Sequence, residues 1–423
     1  MVDGARLAVA AACALSADKG TAMSNSVIIV LNCGSSSIKF AVFEVATPLP
    51  RKPLWNGKVQ GIGGPGPDFG ETGVPPFAIE LGAEHPYRDA LRIIRERITA
   101  RLEDRPVAAI AHRVVHGGSK YFESTRIDAG VLRDLRSYVP LAPLHQPFAL
   151  EAMEILLRER PDIAQIACFD TGFHHSLPKV EQILPLPYEW WQRGVRRYGF
   201  HGLSYAYTAT ALAERHGDRA RGRTIVAHLG SGASLCGMQQ LQSMATTMGF
   251  SALDGLMMGT RTGALDPGAV LYLMEIEKLT LQEVGRLLYH DSGLLGVSGI
   301  SSEPRVILRH VEDPGEAGER ARIALELFVR RIVREIGSLA AALGGLDMLV
   351  FTAGIGEHSE EIRARVCTDL AWLGLELDAR ANAAHAPVIS ATGSRVLVGV
   401  EPTNEEWVAA RDTLRILGAQ PSS

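Results

Sequence analysis

The chain has 423 residues, 46% of them hydrophobic and 21% charged, a globular composition that excludes a disordered protein and favours two domains. Lys and Arg number 43 against 47 Asp and Glu, so the net charge of -4 excludes a general basic nucleic-acid binder while leaving room for a local cationic site. Five cysteines (Cys13, Cys33, Cys168, Cys236, Cys367) form no CxxC pair, which argues against a zinc site or a disulfide framework and fits a reducing cytoplasm.

Taken in chain order, residues 7–15 (LAVAAACAL) are apolar but too short to span a bilayer, and they make a poor signal peptide. Residues 1–24 are expected to be a disordered extension, with Met23 as the natural beginning. No longer apolar run follows, so a soluble protein without a membrane partner is expected. Residues 26–31 (SVIIVL), 32–37 (NCGSSS) and 38–45 (IKFAVFEV) predict strand, tight loop, strand. Residues 61–76, rich in Gly and Pro, are expected to be a long loop. Gly61, Gly63 and Gly66 match GxGxxG, but no helix pattern follows, so the dinucleotide fingerprint lacks its context. Leu91, Ile94, Ile98 and Leu102 recur at helical spacing, as do apolar positions in 149–158, 321–343, 360–370 and 405–417. Short apolar strands at 107–111, 163–169 and 348–352 precede HRVVHGG, DTGFHH and AGIGE. Residues 224–238 repeat the first hairpin plan as TIVAHL, GSGAS, LCGM, which hints at two related domains. Strands and helices alternate, so the fold class is α/β.

A turn of small residues exposes backbone N–H groups and hydroxyls to an approaching phosphate. Two such turns, with Lys39 beside the first and a third Gly cluster at residues 354–357, point to a nucleotide held between domains. No GxxxxGK[ST] occurs, which excludes a Walker-type site.

The peptides LNCGSSSIKF, HRVVHGG, PLHQP, FDTGFHH, RRYGFHG, HLGSGAS, MMGTRTG, GLLGVSGISS, TAGIGEHSEEIR and PTNEE occur in this order along nearly the whole chain. In this the sequence resembles the acetate/propionate kinase family of the actin/Hsp70/sugar-kinase superfamily. The resemblance implies two ribonuclease-H-like (actin-like ATPase) domains with an interdomain active-site cleft. Residues 25–174 with 407–423 would form the first domain, and 175–406 the second, which would also dimerise. It implies reversible transfer of the γ-phosphoryl group of ATP to acetate, giving acetyl phosphate and ADP, with Mg²⁺, or Mn²⁺ in its place, and a homodimer.

Two like charges about 4 Å apart repel by roughly 4 kcal/mol at an effective dielectric of about 20, so an anionic acceptor meeting an anionic donor calls for fixed cations. By resemblance Arg113 binds the substrate carboxylate, a task suited to its planar fork. Arg261 and His201 would stabilise the phosphoryl group in flight. Asp170 is the family's catalytic carboxylate; acetate carries no proton to remove near neutral pH, so orientation of an arginine or Mg²⁺ suits it better than base catalysis. Asn32 and Glu405 match metal positions, with helix capping as the plainer role of the TNEE segment. Val115, Leu144, Phe200, Ala252 and His145 match the acceptor pocket. Ser35, Ser37 and Lys39 match the first phosphate loop, and His228, Leu229, Gly230, Ser231 and Gly232 the second. Glu303, Pro304 and Arg305 match the adenine side, and Gly354, Ile355, Gly356, Glu357 and His358 the adenosine loop. His112, His116, His174 and His175 are expected to be structural.

The chain departs from the family pattern at several of these places. Ala245 and Ala264 stand where Asp is frequent, Tyr205 replaces a histidine, and Glu303 replaces Asp. Ala252 stands where acetate kinases often carry Pro, which leaves room for propionate. Alternatives are a propionate kinase, a sugar kinase (disfavoured by the apolar cup) and an ATP-dependent interaction protein like actin or Hsp70 (disfavoured by the lack of a further peptide-binding domain).

Overall fold

The computed structural model describes residues 25–142 and 145–418. The expectation for residues 1–24, and that for Leu144, lie outside the described residues. The chain divides into two units: one runs to Gly172 and resumes at Asn404, and the other is Phe173–Thr403.

In the first unit β1 (Val27–Cys33) and β2 (Ser37–Glu44) form the expected hairpin, and β3 (Trp55–Gln60), β4 (Asp68–Glu71) and β5 (Val74–Ala78) extend it antiparallel. On the other side of β1 lie β6 (Val107–Val114), then β8 (Ala164–Phe169), both parallel to it, with β7 (Thr125–Arg126) at the edge. Residues 61–76 are therefore not one long loop. Gly61, Gly63 and Gly66 take positive φ in turns, and the rest enters β4 and the edge strand β5, where Pro75 and Pro76 need donate no ladder hydrogen bond.

Alternation along β1 sends Val27, Ile29 and Leu31 into one core, which the helix Pro86–Leu102 covers with Leu91, Ile94, Ile98 and Leu102. The helix Glu405–Gly418 also packs on β1, β6 and β8. Its cap is Asn404, whose Oδ1 accepts from Trp407 N at 3.1 Å and whose Nδ2 donates to Arg51 O at 2.7 Å. Residues 404–406 thus belong to the first unit, contrary to the sequence expectation. Phe173 and His174 belong to the second: His174 bonds Ser243 Oγ at 2.8 Å and Phe200 O at 2.9 Å.

The second unit repeats the plan. Strands β9 (Thr224–Leu229), β10 (Ala233–Gln239) and β11 (Gln242–Thr246) are antiparallel neighbours, while β12 (Met348–Thr352) and β13 (Leu397–Val400) continue beyond β9 in parallel. Third, second, first, fourth, fifth is the strand order here, and the β3-β2-β1-β6-β8 core of the first unit has the same order and senses. The doubled hairpin in the sequence is therefore a doubled sheet. The strands β9 and β12 are buried along their whole length, so they read as continuous apolar runs. The helix Glu316–Leu343 packs on β9, β10 and β11. Among the described residues, no helix is long and apolar enough to cross a membrane.

Candidate active site

In the first unit three charged residues from three elements meet. Arg113 is carried by β6, Asp170 follows β8, and Glu405 opens the helix Glu405–Gly418. Asp170 N donates to Val114 O at 2.9 Å, which ties the end of β8 to β6. Arg113 Nε donates to Asp170 Oδ1 at 3.0 Å and Nη2 to Oδ2 at 2.7 Å, while Nη1 lies 3.2 Å from Glu405 Oε2. Burial pulls the guanidinium down, but Asp170 and Glu405 together hold it above its ordinary value. The bonds to Asp170 use Nε–H and one N–H of Nη2, and Nη1 forms an ion pair with Glu405, so N–H groups on the terminal nitrogens remain to meet an anion.

Two carboxylates here face one guanidinium. Burial first, and then the negative charge of Asp170, raise Glu405 to about 7. A buried acidic pair short of positive charge suits a hard divalent cation, so the donor set of Asp170, Glu405 and Asn32 fits Mg²⁺. Asn32 is next along β1 after Leu31, which pairs with His112 beside Arg113. Val115 and His145 are half-buried, and His145 immediately precedes the helix Gln146–Glu159. The loop between β1 and β2 is a tight turn closed by Gly34 N donating to Ser37 O at 2.8 Å; Ser35 and Lys39 are exposed.

In the second unit His201 precedes the helix Gly202–His216 with φ 58°, left-handed backbone that a β-carbon disfavours. Its ring stacks on His228 with centroids 4.1 Å apart. Tyr205 is wholly buried, and its phenol lies 2.5 Å from Ser234 Oγ. Burial holds that phenol's proton in place, and the two hydroxyls share one hydrogen bond. Ser234 Oγ in turn hydrogen-bonds His201 Nδ1 at 2.8 Å, which fixes the ring with Nε2 on its other side. A β-carbon on Gly232 would lie 3.2 Å from that Nε2 and 3.7 Å from Arg261 Nη1. The second glycine loop, His201 and Arg261 therefore converge on one point.

Arg261 is half-buried and donates to Ala252 O at 2.9 Å. No carboxylate within the described residues forms an ion pair with it, and burial lowers its affinity for a proton. A desolvated cation without an acid is a receptor for an outside anion.

A cavity of about 720 Å³ opens beside this point, within the usual size of a small-molecule site. Gly230, Ser231, Glu303, Pro304, Arg305, Gly354, Ile355 and His358, all expected to hold nucleotide, line it. Ser35, Ser37 and Lys39 of the first unit do not line it, nor does Gly232, and four further expected residues lie away from it. Leu229 is wholly buried, and His228 bonds Ser204 Oγ at 2.8 Å. Gly356 packs toward Phe351 and Ala227, and Glu357 accepts from Thr403 N at 3.1 Å. These four support the loops from behind. Phe200 is also buried.

Sequence reading missed His385, which lines the cavity, and Arg363, which lies behind it. Arg363 is wholly buried and donates to Gly356 O, Glu357 O, Asn382 and His385 Nδ1. The HSEEIR peptide contains Arg363, so its motif was visible although its role was not. Of the remaining histidines, burial drops His112, His116 and His174 to about 4, which keeps them neutral.

The sequence profile of the acetokinase family matches residues 27–411. The chain belongs to the acetokinase family. An acetate kinase of Rhodopseudomonas palustris (strain TIE-1) is 49% identical over 399 residues, covering 93% of this chain and 98% of that protein. The crystal structure of Porphyromonas gingivalis acetate kinase is similar with TM-score 0.82 at 36% identity, over 93% of this chain and 100% of that one. A propionate kinase structure from Francisella tularensis has TM-score 0.84 at 32% identity, over 92% and 98%. For this acetokinase-family chain, the repeated sheet is accordingly the actin-like ATPase architecture that its motifs implied.

Proposed function

We propose that the chain is a carboxylate kinase that moves the γ-phosphoryl group of ATP to acetate, reversibly, forming acetyl phosphate and ADP. The observation that carries this is the convergence of His201 Nε2 and Arg261, which has no ion pair within the described residues, over Gly232, the residue after Gly230 and Ser231 in the lining of a nucleotide-sized cavity. Donors fixed in advance where charge builds up are what in-line phosphoryl transfer requires of a protein. In this reading Arg113 grips the acceptor carboxylate through its remaining N–H groups. Asp170 acts as a positioning residue that fixes the plane of the guanidinium rather than as a base. Ser35, Ser37, Lys39 and the loop 230–232 bind phosphates, and the residues lining the cavity bind adenosine.

Asn32 and Glu405 would hold Mg²⁺, or Mn²⁺ in its place, with Asp170 beside them. The ion would supply positive charge to the phosphates and relieve the crowding of carboxylates around Arg113. Val115 favours acetate, while the small Ala252 leaves propionate as a secondary acceptor.

A homodimer is part of the proposal. No residue of the helix Pro267–Glu275 is buried, and Leu271, Tyr272, Ile276 and Leu281 form an exposed apolar face of the kind a second copy covers. A cytoplasmic location is proposed with it: Cys33, Cys168, Cys236 and Cys367 are free, buried thiols.

Hydroxamate formation with ATP, Mg²⁺ and acetate, propionate or butyrate tests the reaction, with ADP release on glycerol as the contrast. Acetate is expected to give the highest kcat/KM. ADP release with glycerol and none with any carboxylate would overturn the assignment.

A further inference from the structure

A second cavity, of about 210 Å³, lies wholly within the first unit and takes no part in the proposed reaction. Its floor is the sheet, through Ile29 and Leu31 of β1 and Ile110 of β6. Its walls are the helices Pro86–Leu102, through Ile94 and Ile98, and Gln146–Glu159, through Ile155 and Leu156. The interior is therefore aliphatic.

The rim has a different chemistry. Four arginines (Arg88, Arg92, Arg95, Arg160) and two acids, Asp89 and Glu159, border the cavity. Three of the arginines are engaged: Arg92 with Glu96 at 3.0 Å, Arg95 with Glu159 across the two helices, and Arg160 with Asp162 at 2.7 Å. Arg88 has no ion pair within the described residues. The sequence builds this directly, since Arg88, Arg92 and Arg95 run at four- and three-residue spacing beside the apolar stripe of Leu91, Ile94 and Ile98.

We propose that this cavity binds an unbranched aliphatic carboxylate of about six to ten carbons, its chain among the isoleucines and its carboxylate on Arg88. A cavity of about 150 Å³ lined by such side chains holds one benzene, so 210 Å³ takes roughly eight carbons. Shape selects the chain, and Arg88, the rim arginine without an ion pair within the described residues, selects an anionic head over a neutral one. This site is separate from the acceptor site at Arg113 and does not rest on the proposed reaction.

Calorimetric titration of the full chain with octanoate, hexanoate and octanol, each with and without saturating acetate, tests the proposal without turnover. Octanoate is expected to bind once per chain and unaffected by acetate, with hexanoate roughly 15-fold weaker for its two missing methylenes. Octanol is expected to bind more weakly than octanoate. Arg88→Ala, at an exposed position, is expected to weaken octanoate at least about threefold and leave octanol unchanged. Ile155→Trp, which fills the cavity, is expected to abolish both. Should Ile155→Trp fail to fold, Arg88→Ala still decides. Absence of saturable octanoate binding, displacement by acetate, equal affinity for octanol, or an unaltered Arg88→Ala would each overturn the assignment.

Discussion

Adding one methyl group to Gly232 is the sharpest test of the convergence in the second unit. Its β-carbon would stand 3.2 Å from His201 Nε2 and 3.7 Å from Arg261 Nη1. A phosphoryl oxygen bonded to both donors must approach each to about 2.8 Å, so the methyl and the oxygen compete for one volume. Restoring van der Waals distance shifts the phosphoryl group by about 1 Å, a displacement that costs on the order of 100-fold in rate, or about 2.7 kcal/mol of barrier. The backbone at Gly232 is not left-handed, and its carbonyl still accepts from Gly230 N, so alanine should fold without strain. Gly232→Ala is therefore expected to lower kcat about 100-fold in the hydroxamate assay, with Tm within a few degrees of the parent. A kcat within threefold of the parent, at equal Tm, would refute the idea that transfer takes place at this point.

Arg261→Ala is expected to lower kcat at least about 100-fold while leaving ATP binding, measured by calorimetry, within a fewfold, because it removes charge used in the transition state. Ala252→Pro keeps the carbonyl that accepts from Arg261 and is expected to reduce kcat/KM for propionate more than for acetate; equal losses would sink the pocket argument. Tyr205→Phe removes the hydroxyl bonded to Ser234 and is expected to broaden or shift the ¹⁵N resonances of His201, with Tyr205→His restoring them. Glu405 binds a proton more tightly folded than unfolded, since its native value is raised to about 7. The metal-free protein should therefore lose stability between about pH 4.5 and 7 as pH rises, and Glu405→Gln should flatten that slope in urea titrations.

How much of this was legible beforehand depends on where the physics is local. The hairpins at 27–44 and 224–239 announce themselves because two buried β-branched runs flank a turn of Gly and Ser, and the sheet order repeats with them. Strand β4 and the edge strand β5 were hidden because Gly and Pro crowd the segment that holds them. Their stability comes from pairing with β3 and from Phe69 against Phe77, 5.5 Å between centroids, neither of which has a sequence period. Long-range placement was likewise unreadable for Glu405. Its capping role is local and visible, yet its charge is set by burial and by Arg113 and Asp170, more than 230 positions earlier.

Supporting residues escaped for the same reason. Arg363 looks like a surface charge in EEIRAR, where alternating charges usually mark a solvated helix face. It is instead wholly buried, and its donors hold two carbonyls of the 353–358 turn and the ring of His385. No carboxylate neutralises it in the described residues, so carbonyl dipoles and a neutral imidazole must stabilise the charge. Because His385 Nδ1 accepts from Arg363, the His385 proton is left for Nε2. The rings of two histidines are thus held by different means, His201 by a serine bonded to a buried phenol and His385 by a buried guanidinium. Neither partner lies next to its histidine in sequence, so the orientation of the donors is a property that only the fold supplies.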